Sequence, residues 1–91
     1  MEAKETIQVT VGWGDIILGQ RRKAKTCAIA RAIKREFPDK TVEVDRRFVT
    51  IKNGKELEYR IPSAATNFID KFDHSGKLSV RPFTFEATLI S

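Results

Sequence analysis

The sequence TVEVDRRFVTIKNGKELEYRI, residues 41–61, decides the fold. Apolar and polar residues alternate in three short runs of it, which is typical of strands that bury one face. Asn53 and Gly54 separate the second run from the third and favour a type I′ turn, because both central positions of that turn take positive φ. The segment therefore predicts a meander of three antiparallel strands. The inward-facing residues of the runs are Val42 and Val44, then Val49 and Ile51, and finally Leu57, Tyr59 and Ile61.

An amphipathic helix is predicted on each side of this meander. In the first helix Thr26 is the expected N-cap, and the helix runs to about Phe37 because the proline that follows cannot continue it. Glu36 falls on the apolar side of this helix, which predicts that the last turn frays. In the second helix Ser63 is the expected N-cap and Gly76 the terminator. The predicted core positions are Ile29, Ala30, Ile33 and Phe37 in the first helix, and Ala65, Phe68, Ile69 and Phe72 in the second.

The segment before the first helix predicts another strand and an irregular connection. Ile7, Val9 and Val11 alternate with polar residues, as expected for a half-buried strand. Asp15 then caps a short helical turn that Gly19 ends.

The segment after the second helix is strand-like with a change of parity. Leu78 and Val80 share one face, and four apolar residues after Pro82 share the other. A bend or bulge at Pro82 is therefore expected to turn both sets toward the core. The later set is Phe83, Phe85, Ala87 and Leu89.

The predicted order of elements is β-α-β-β-β-α-β. It indicates one small α+β domain over residues 1–91, with a mostly antiparallel sheet and two amphipathic helices packed on one face. A chain of 91 residues has room for one hydrophobic core. Periodicity identifies strands but not their neighbours, so the strand order stays open.

Positive charge is concentrated in residues 16–35, which contain seven basic residues and no Asp or Glu. Since the formal net charge of the chain is +5 and this segment contributes +7, all other residues together carry −2. A localised positive field attracts phosphates or acidic protein surfaces, although the same residues can form an ordinary solvated helix face. The expected contact residues are Arg21, Arg22, Lys23, Lys25, Arg31, Lys34 and Arg35.

Two features near the basic segment each have two interpretations. Trp13, flanked by glycines, either stacks on a base or anchors a protein partner, or it folds back as a lid on one end of the core. Arg46 and Arg47 either extend the basic surface or form a polar turn between two strands.

The residue inventory indicates a protein that is not an enzyme. A thiol nucleophile needs a positioned base, and the only histidine, His74, is predicted to lie in the loop after the second helix. Cys27 is therefore interpreted as a packing residue, although a helix start beside Lys25 is a setting that lowers a thiol pKa. Asp70 and Asp73 are interpreted as the polar face and end of their helix. No metal-ligand spacing or phosphate-binding glycine loop is present, so we expect no metal and no cofactor.

The same inventory predicts a cytoplasmic protein that does not enter a membrane. No apolar run approaches the roughly 18 residues that a transmembrane helix needs. Residues 1–6 lack the basic and apolar regions of a secretory signal, and a single cysteine fits a reducing compartment.

Three segments resemble small uncharacterised proteins of phages and prophages, especially those of actinobacteria. They are Cys-Ala-Ile-Ala-Arg-Ala-Ile at residues 27–33, Phe-Ile-Asp-Lys-Phe-Asp at residues 68–73, and Pro-Phe-Thr-Phe-Glu at residues 82–86. The resemblance implies an accessory protein that acts in a host cytoplasm. It implies no established activity and no established site.

The sequence thus predicts a small accessory binding protein with a basic face, and it leaves the partner open. One hypothesis is nucleic acid, held by the basic segment with Trp13 nearby. The alternative is an acidic host protein that the chain inhibits or modulates. A third expectation is self-association through the C-terminal strand, should that strand lie at an edge of the sheet.

Overall fold

The computed structural model describes residues 5–90, so the expectation about a secretory signal falls partly outside the described residues. The architecture is α+β, as predicted. The strands are β1 (Thr6–Val11), β2 (Thr41–Val44), β3 (Phe48–Asn53), β4 (Lys55–Arg60) and β5 (Phe83–Leu89). The α-helices are α1 (Trp13–Leu18), α2 (Ala28–Glu36) and α3 (Ser63–Ser75), and a 3₁₀ turn spans Lys77–Ser79.

The five strands form one antiparallel sheet in the order β1-β5-β4-β3-β2. The ladder between β4 and β5 is short, because its residue pairs are Tyr59 with Leu89 and Arg60 with Thr88. The sheet edges are β1 and β2, while the C-terminal strand β5 lies between two neighbours. The idea that β5 lies at an edge is therefore wrong, and self-association by that route loses its premise.

One face of the sheet carries the core. Val9 lies opposite Phe85, and Val49 lies opposite Tyr59, so inward residues pair with inward residues across each ladder. The other face is polar, as where Thr10 and Thr84 bring their hydroxyl oxygens to 3.2 Å. This alternation confirms the period-two pattern from which the strands were predicted.

The turn between β3 and β4 lies where the sequence places it, but it is not type I′. Lys52 pairs with Glu56 and Asn53 pairs with Lys55, so Gly54 stands alone at the tip. Gly54 has φ of 77°, whereas Asn53 does not take positive φ. Only one left-handed position is needed in this connection, and glycine supplies it.

Helix α2 lies between the two edges of the curled sheet. It contacts both β1 and β2, and it buries Ile29 and Ile33 in the core. Loop and helix also occupy part of each edge, because Ala24 O accepts a hydrogen bond from Val44 N–H and Thr10 O accepts one from Arg35. Helix α2 therefore lies between β1 and β2, and its outer side faces solvent.

Helix α3 closes the core with aromatic side chains. Phe68 and Phe72 are buried, with ring centroids 5.9 Å apart. Phe68 also stacks on Phe83 of β5 at 4.8 Å, and Phe83 stacks on Phe85 at 5.3 Å. The predicted apolar face of this helix is thus confirmed at its two Phe positions.

The predicted helix caps are displaced by one residue. Helix α2 begins after Cys27, and Thr26 instead donates a hydrogen bond from its hydroxyl to Gln20 Oε1 at 2.7 Å. Helix α3 begins with Ser63 itself, after Pro62. Helix α2 ends at Glu36, and the Phe37 N–H still donates to Ile33 O, so the last turn is closed and does not fray. The Glu36 side chain is exposed and does not lie among the apolar residues, although the helical pattern predicts it on their side.

The segment after α3 departs from the predicted strand. Gly76 ends α3 with φ of 86° and redirects the chain into the 3₁₀ turn. Leu78 lies in that turn and is fully exposed, so the expectation that it faces the core is wrong. Val80, two residues later, is buried, and β5 begins after Pro82.

Candidate functional site

The outer side of α2 gathers part of the basic segment. Arg31, Lys34 and Arg35 are exposed on the side of the helix that faces away from the core. Together with Lys25 from the preceding loop they line an open groove of about 420 Å³. We call this site the basic groove, and its lining residues are Asp15, Lys25, Thr26, Arg31, Lys34 and Arg35.

Arg35 is fixed at one end of the basic groove by a buried carboxylate. Asp15 is only 3% exposed, and its Oδ1 accepts a hydrogen bond from Arg35 Nη1 at 2.5 Å. Asp15 Oδ2 accepts another from Gly12 N–H at 2.9 Å, and Arg35 Nη2 donates to Thr10 O at 3.1 Å. The hydrogen bond to Asp15 raises the pKa of Arg35, so this guanidinium stays charged. The pair joins α1, α2 and β1 at one point.

The other cations of the basic groove are held more loosely. Lys25 Nζ lies 3.6 Å from Glu43 Oε1, an exposed pair of small energetic value. Lys34 Nζ donates to Lys40 O. Arg31 makes no ion pair with any residue of the described part of the chain. Four cations therefore meet three carboxylates in and beside the groove, since Glu36 also acts on Arg35, and the groove is left net positive.

Arg21 and Arg22 are placed at the C-terminal end of α3 instead. Arg21 donates from Nε and Nη2 to Asp73 O at 3.0 and 2.7 Å, and Arg22 N–H donates to Asp73 Oδ1 at 2.9 Å. Arg22 also has φ of 60°, a left-handed conformation that these contacts hold in place. The partner of Arg21 is thus Asp73, and no residue near Arg21 in the sequence indicates this contact.

Arg22 and Lys23 line a second, smaller pocket of about 170 Å³. Its floor is apolar and includes Phe68 and Phe72. Its charges nearly balance, because the lining cations Arg22, Lys23 and Arg46 face the lining carboxylates Asp45 and Asp73, and Arg46 also pairs with Asp70 at 2.9 Å. The seven basic residues therefore divide between two places, and Arg46 belongs to a polar turn tied to α3.

Helix α1 has its apolar residues on the outside. Trp13, Ile17 and Leu18 are 56%, 57% and 62% exposed, while Asp15 and Ile16 are the buried residues of the helix. The interpretation of Trp13 as a lid on the core is therefore wrong. The inward positions of α1 are already taken, and three consecutive apolar residues at 16–18 cannot share one side of a helix. We call Trp13, Ile17 and Leu18 the apolar patch.

The position of α1 is fixed by a close approach to α2. A Cβ added to Gly19 would lie 2.6 Å from Asp15 O and 2.7 Å from Ala28 N, so only glycine lets the two helices meet this closely. Lys77 Nζ donates to Ile17 O and so lies beside the apolar patch. Helix α1 therefore contributes to both surfaces, because its Asp15 lines the basic groove and pairs with Arg35, while the apolar patch lies on its exposed side.

The single cysteine and the single histidine lie on different helices, Cys27 as the N-cap of α2 and His74 near the end of α3. Cys27 is half-buried, and burial raises the pKa of its thiol, so the group is protonated at neutral pH. His74 lies in the last turn of α3, where its Nδ1 is 2.8 Å from Asp70 O. Residues 5–90 contain no cluster of three His, Cys, Asp or Glu side chains that could hold a metal ion. Within the same residues, every helix is too short or too polar to cross a bilayer.

Comparisons with protein-family models, with curated proteins and with solved structures give no match to this chain. The resemblance to phage proteins thus stays a prediction.

Proposed function

We propose that this chain is a non-catalytic accessory protein that holds an acidic partner on the basic groove, in the cytoplasm of a host cell. The observation that supports the proposal is the placement of Lys25, Arg31, Lys34 and Arg35 along one exposed groove. Such a surface accelerates encounter with an acidic partner and orients it.

An acidic protein is the partner that the geometry favours. Ile17 and Leu18 are exposed on α1, the helix whose Asp15 lines the groove, and aliphatic side chains gain little from the phosphate backbone of a nucleic acid. A protein surface offers both carboxylates for the groove and apolar side chains for the patch. The chain would then inhibit or modulate its partner by covering part of that partner's surface.

Nucleic acid is the second candidate, and one observation supports it. Trp13 is exposed on the helix whose Asp15 lines the groove, and the groove contains Arg31, which has no ion pair among the described residues. A stacking aromatic beside phosphate-binding cations is a common way to hold single strands. Binding of this kind weakens steeply as salt rises.

A charge-reversal experiment tests the proposal and separates the two partners. The double variant Arg31→Glu/Lys34→Glu reverses the groove, and Lys55→Glu/Lys71→Glu is the matched control, because both of its lysines are exposed and line no part of the groove. Pull-downs from an actinobacterial lysate are run with and without nuclease, and gel-shift assays use single- and double-stranded probes at low salt.

The proposal expects the pull-down to recover an acidic protein in stoichiometric amount, with or without nuclease. The groove variant should capture at least about tenfold less of that protein, and the control variant should capture as much as the unaltered chain. A retarded probe that the groove variant releases would assign the groove to nucleic acid. Equal capture by the groove variant and the control would overturn the role of the groove altogether.

A further inference from the structure

We infer that the apolar patch on α1 is a docking site for an acidic amphipathic segment of the partner protein, an inference that rests on the function proposed above. The segment lays its apolar side chains on Trp13, Ile17 and Leu18 and its carboxylates toward the basic groove. The juxtaposition of three exposed apolar side chains with a cationic border carries this inference.

Helix α1 buries a charged side chain and exposes apolar ones, which is the reverse of a helix that only supports a core. Its charged residue, Asp15, is buried and needs Gly12 and Arg35 as partners, while Trp13 and two aliphatic residues face solvent. An unpaired carboxylate at that depth would be costly, so the fold maintains the arrangement with specific contacts. An apolar surface kept exposed in this way is typical of an interaction site.

The side chains of the patch suit a protein contact. Trp13 is the kind of residue that dominates binding energy at protein interfaces, because its large ring loses little conformational entropy. Ile17 lies one turn after Trp13 on the same side of α1, and Leu18 follows about 100° further round the helix. An amphipathic helix of a partner presents apolar residues at i, i+3, i+4 and i+7, and these could pack on Trp13 and its two aliphatic neighbours.

The charges around the patch select an acidic occupant. Lys77 lies against the patch through its hydrogen bond to Ile17 O, and Arg35 of the neighbouring helix α2 pairs with Asp15 of α1. The one carboxylate of α1, Asp15, is beneath the surface and already paired. A basic segment would therefore be repelled, whereas Glu or Asp side chains beside an apolar stripe would meet Lys77 and the cations of the groove.

Trp13 is the single tryptophan of the chain, so its fluorescence reports on the patch directly. The probe is a synthetic helical peptide with Leu at i, i+3, i+4 and i+7 and Glu at the other positions. A second peptide has the same composition with its Leu positions scrambled, and a third has Lys in place of Glu. Polyglutamate and a single-stranded oligonucleotide complete the set of probes.

The inference expects the amphipathic acidic peptide to shift the Trp13 emission to shorter wavelength, with at least about tenfold tighter binding than the scrambled or the basic peptide. The variant Ile17→Ser/Leu18→Ser loses that preference, and Ile90→Ser, a change at an exposed apolar residue outside the patch, retains it. Both changes replace exposed side chains, so circular dichroism is expected to show unchanged folding.

Three results would overturn the inference while distinguishing it from the function proposed above. Equal affinity for the amphipathic and scrambled peptides, without an emission shift, would leave the basic groove as an anion-binding surface and remove the docking site. Quenching by the oligonucleotide alone would assign Trp13 to base stacking. An emission shift that grows with protein concentration in the absence of peptide would assign the patch to a second copy of this chain.

Discussion

Helices α1 and α3 both carry aromatic and aliphatic side chains, but α3 buries its aromatic side chains and α1 exposes most of its apolar ones. In α3 the aromatic side chains of Phe68 and Phe72 are buried against the sheet and polar residues face solvent. In α1 the aromatic and aliphatic side chains face solvent and a carboxylate is buried. The difference indicates that α3 serves the stability of the core, and it supports the proposal that α1 contacts another molecule.

The largest effect expected from this comparison is on stability, and it belongs to α3. Phe72 is 1% exposed and stacks near Phe68, so Phe72→Ala leaves a cavity and should lower the free energy of unfolding by about 3–5 kcal/mol. The paired change in α1, Ile17→Ser, should alter it by less than about 0.5 kcal/mol. Urea denaturation followed by circular dichroism measures both, and similar losses for the two variants would show that α1 also supports the core.

An intermediate effect is expected where α1 is tied to the rest of the molecule. Arg35→Ala leaves Asp15 buried without its cation, which should cost about 1–3 kcal/mol of unfolding free energy. Arg31→Ala, a matched change one turn earlier at an exposed residue without an ion pair among the described residues, should cost less than about 0.5 kcal/mol. If the two arginines prove equivalent in thermal and urea unfolding, the Asp15–Arg35 pair does not hold α1 in place.

The smallest effect concerns Cys27, which lies in the pocket beside α3. Burial raises the pKa of this thiol from its ordinary value of 9.0, so the folded state keeps a proton that the unfolded state loses. The unfolded state therefore binds fewer protons above about pH 9, and stability should fall as pH rises through that range. The variant Cys27→Ala should show a shallower decline than the unaltered chain between pH 8 and pH 10, measured by urea unfolding. Identical slopes would indicate that the thiol is not shielded.

The sequence was a good guide wherever a local pattern determines structure. Alternation predicted the meander, and helical periodicity placed Arg31, Lys34 and Arg35 on the outer side of α2. It was a poor guide wherever a distant partner decides. Asp73, about fifty residues away along the chain, removes Arg21 from the basic surface.

The orientation of α1 shows the same limit. Ile16, Ile17 and Leu18 are equally apolar, so composition alone does not say which of them is buried. The choice follows from Asp15, which turns inward to meet Arg35 twenty residues later. The strand order escapes sequence reasoning for a similar reason, since β5 pairs with β1 across most of the chain. Leu78 is exposed because Gly76 redirects the chain into a 3₁₀ turn. The alternation of apolar and polar residues does not reveal such a change of direction.

Quenching of Trp13 fluorescence in the free protein tests most directly whether α1 presents an apolar patch beside a cationic groove. Iodide and caesium are compared at equal ionic strength. Because iodide is the more efficient quencher of free indole, the quenching constant of Trp13 for each ion is divided by that of free N-acetyltryptophanamide. An exposed Trp13 on a helix beside Lys77 and the groove cations should be quenched strongly, with a larger ratio for the anion than for the cation. Weak quenching by both ions, or a larger ratio for caesium, would contradict the account.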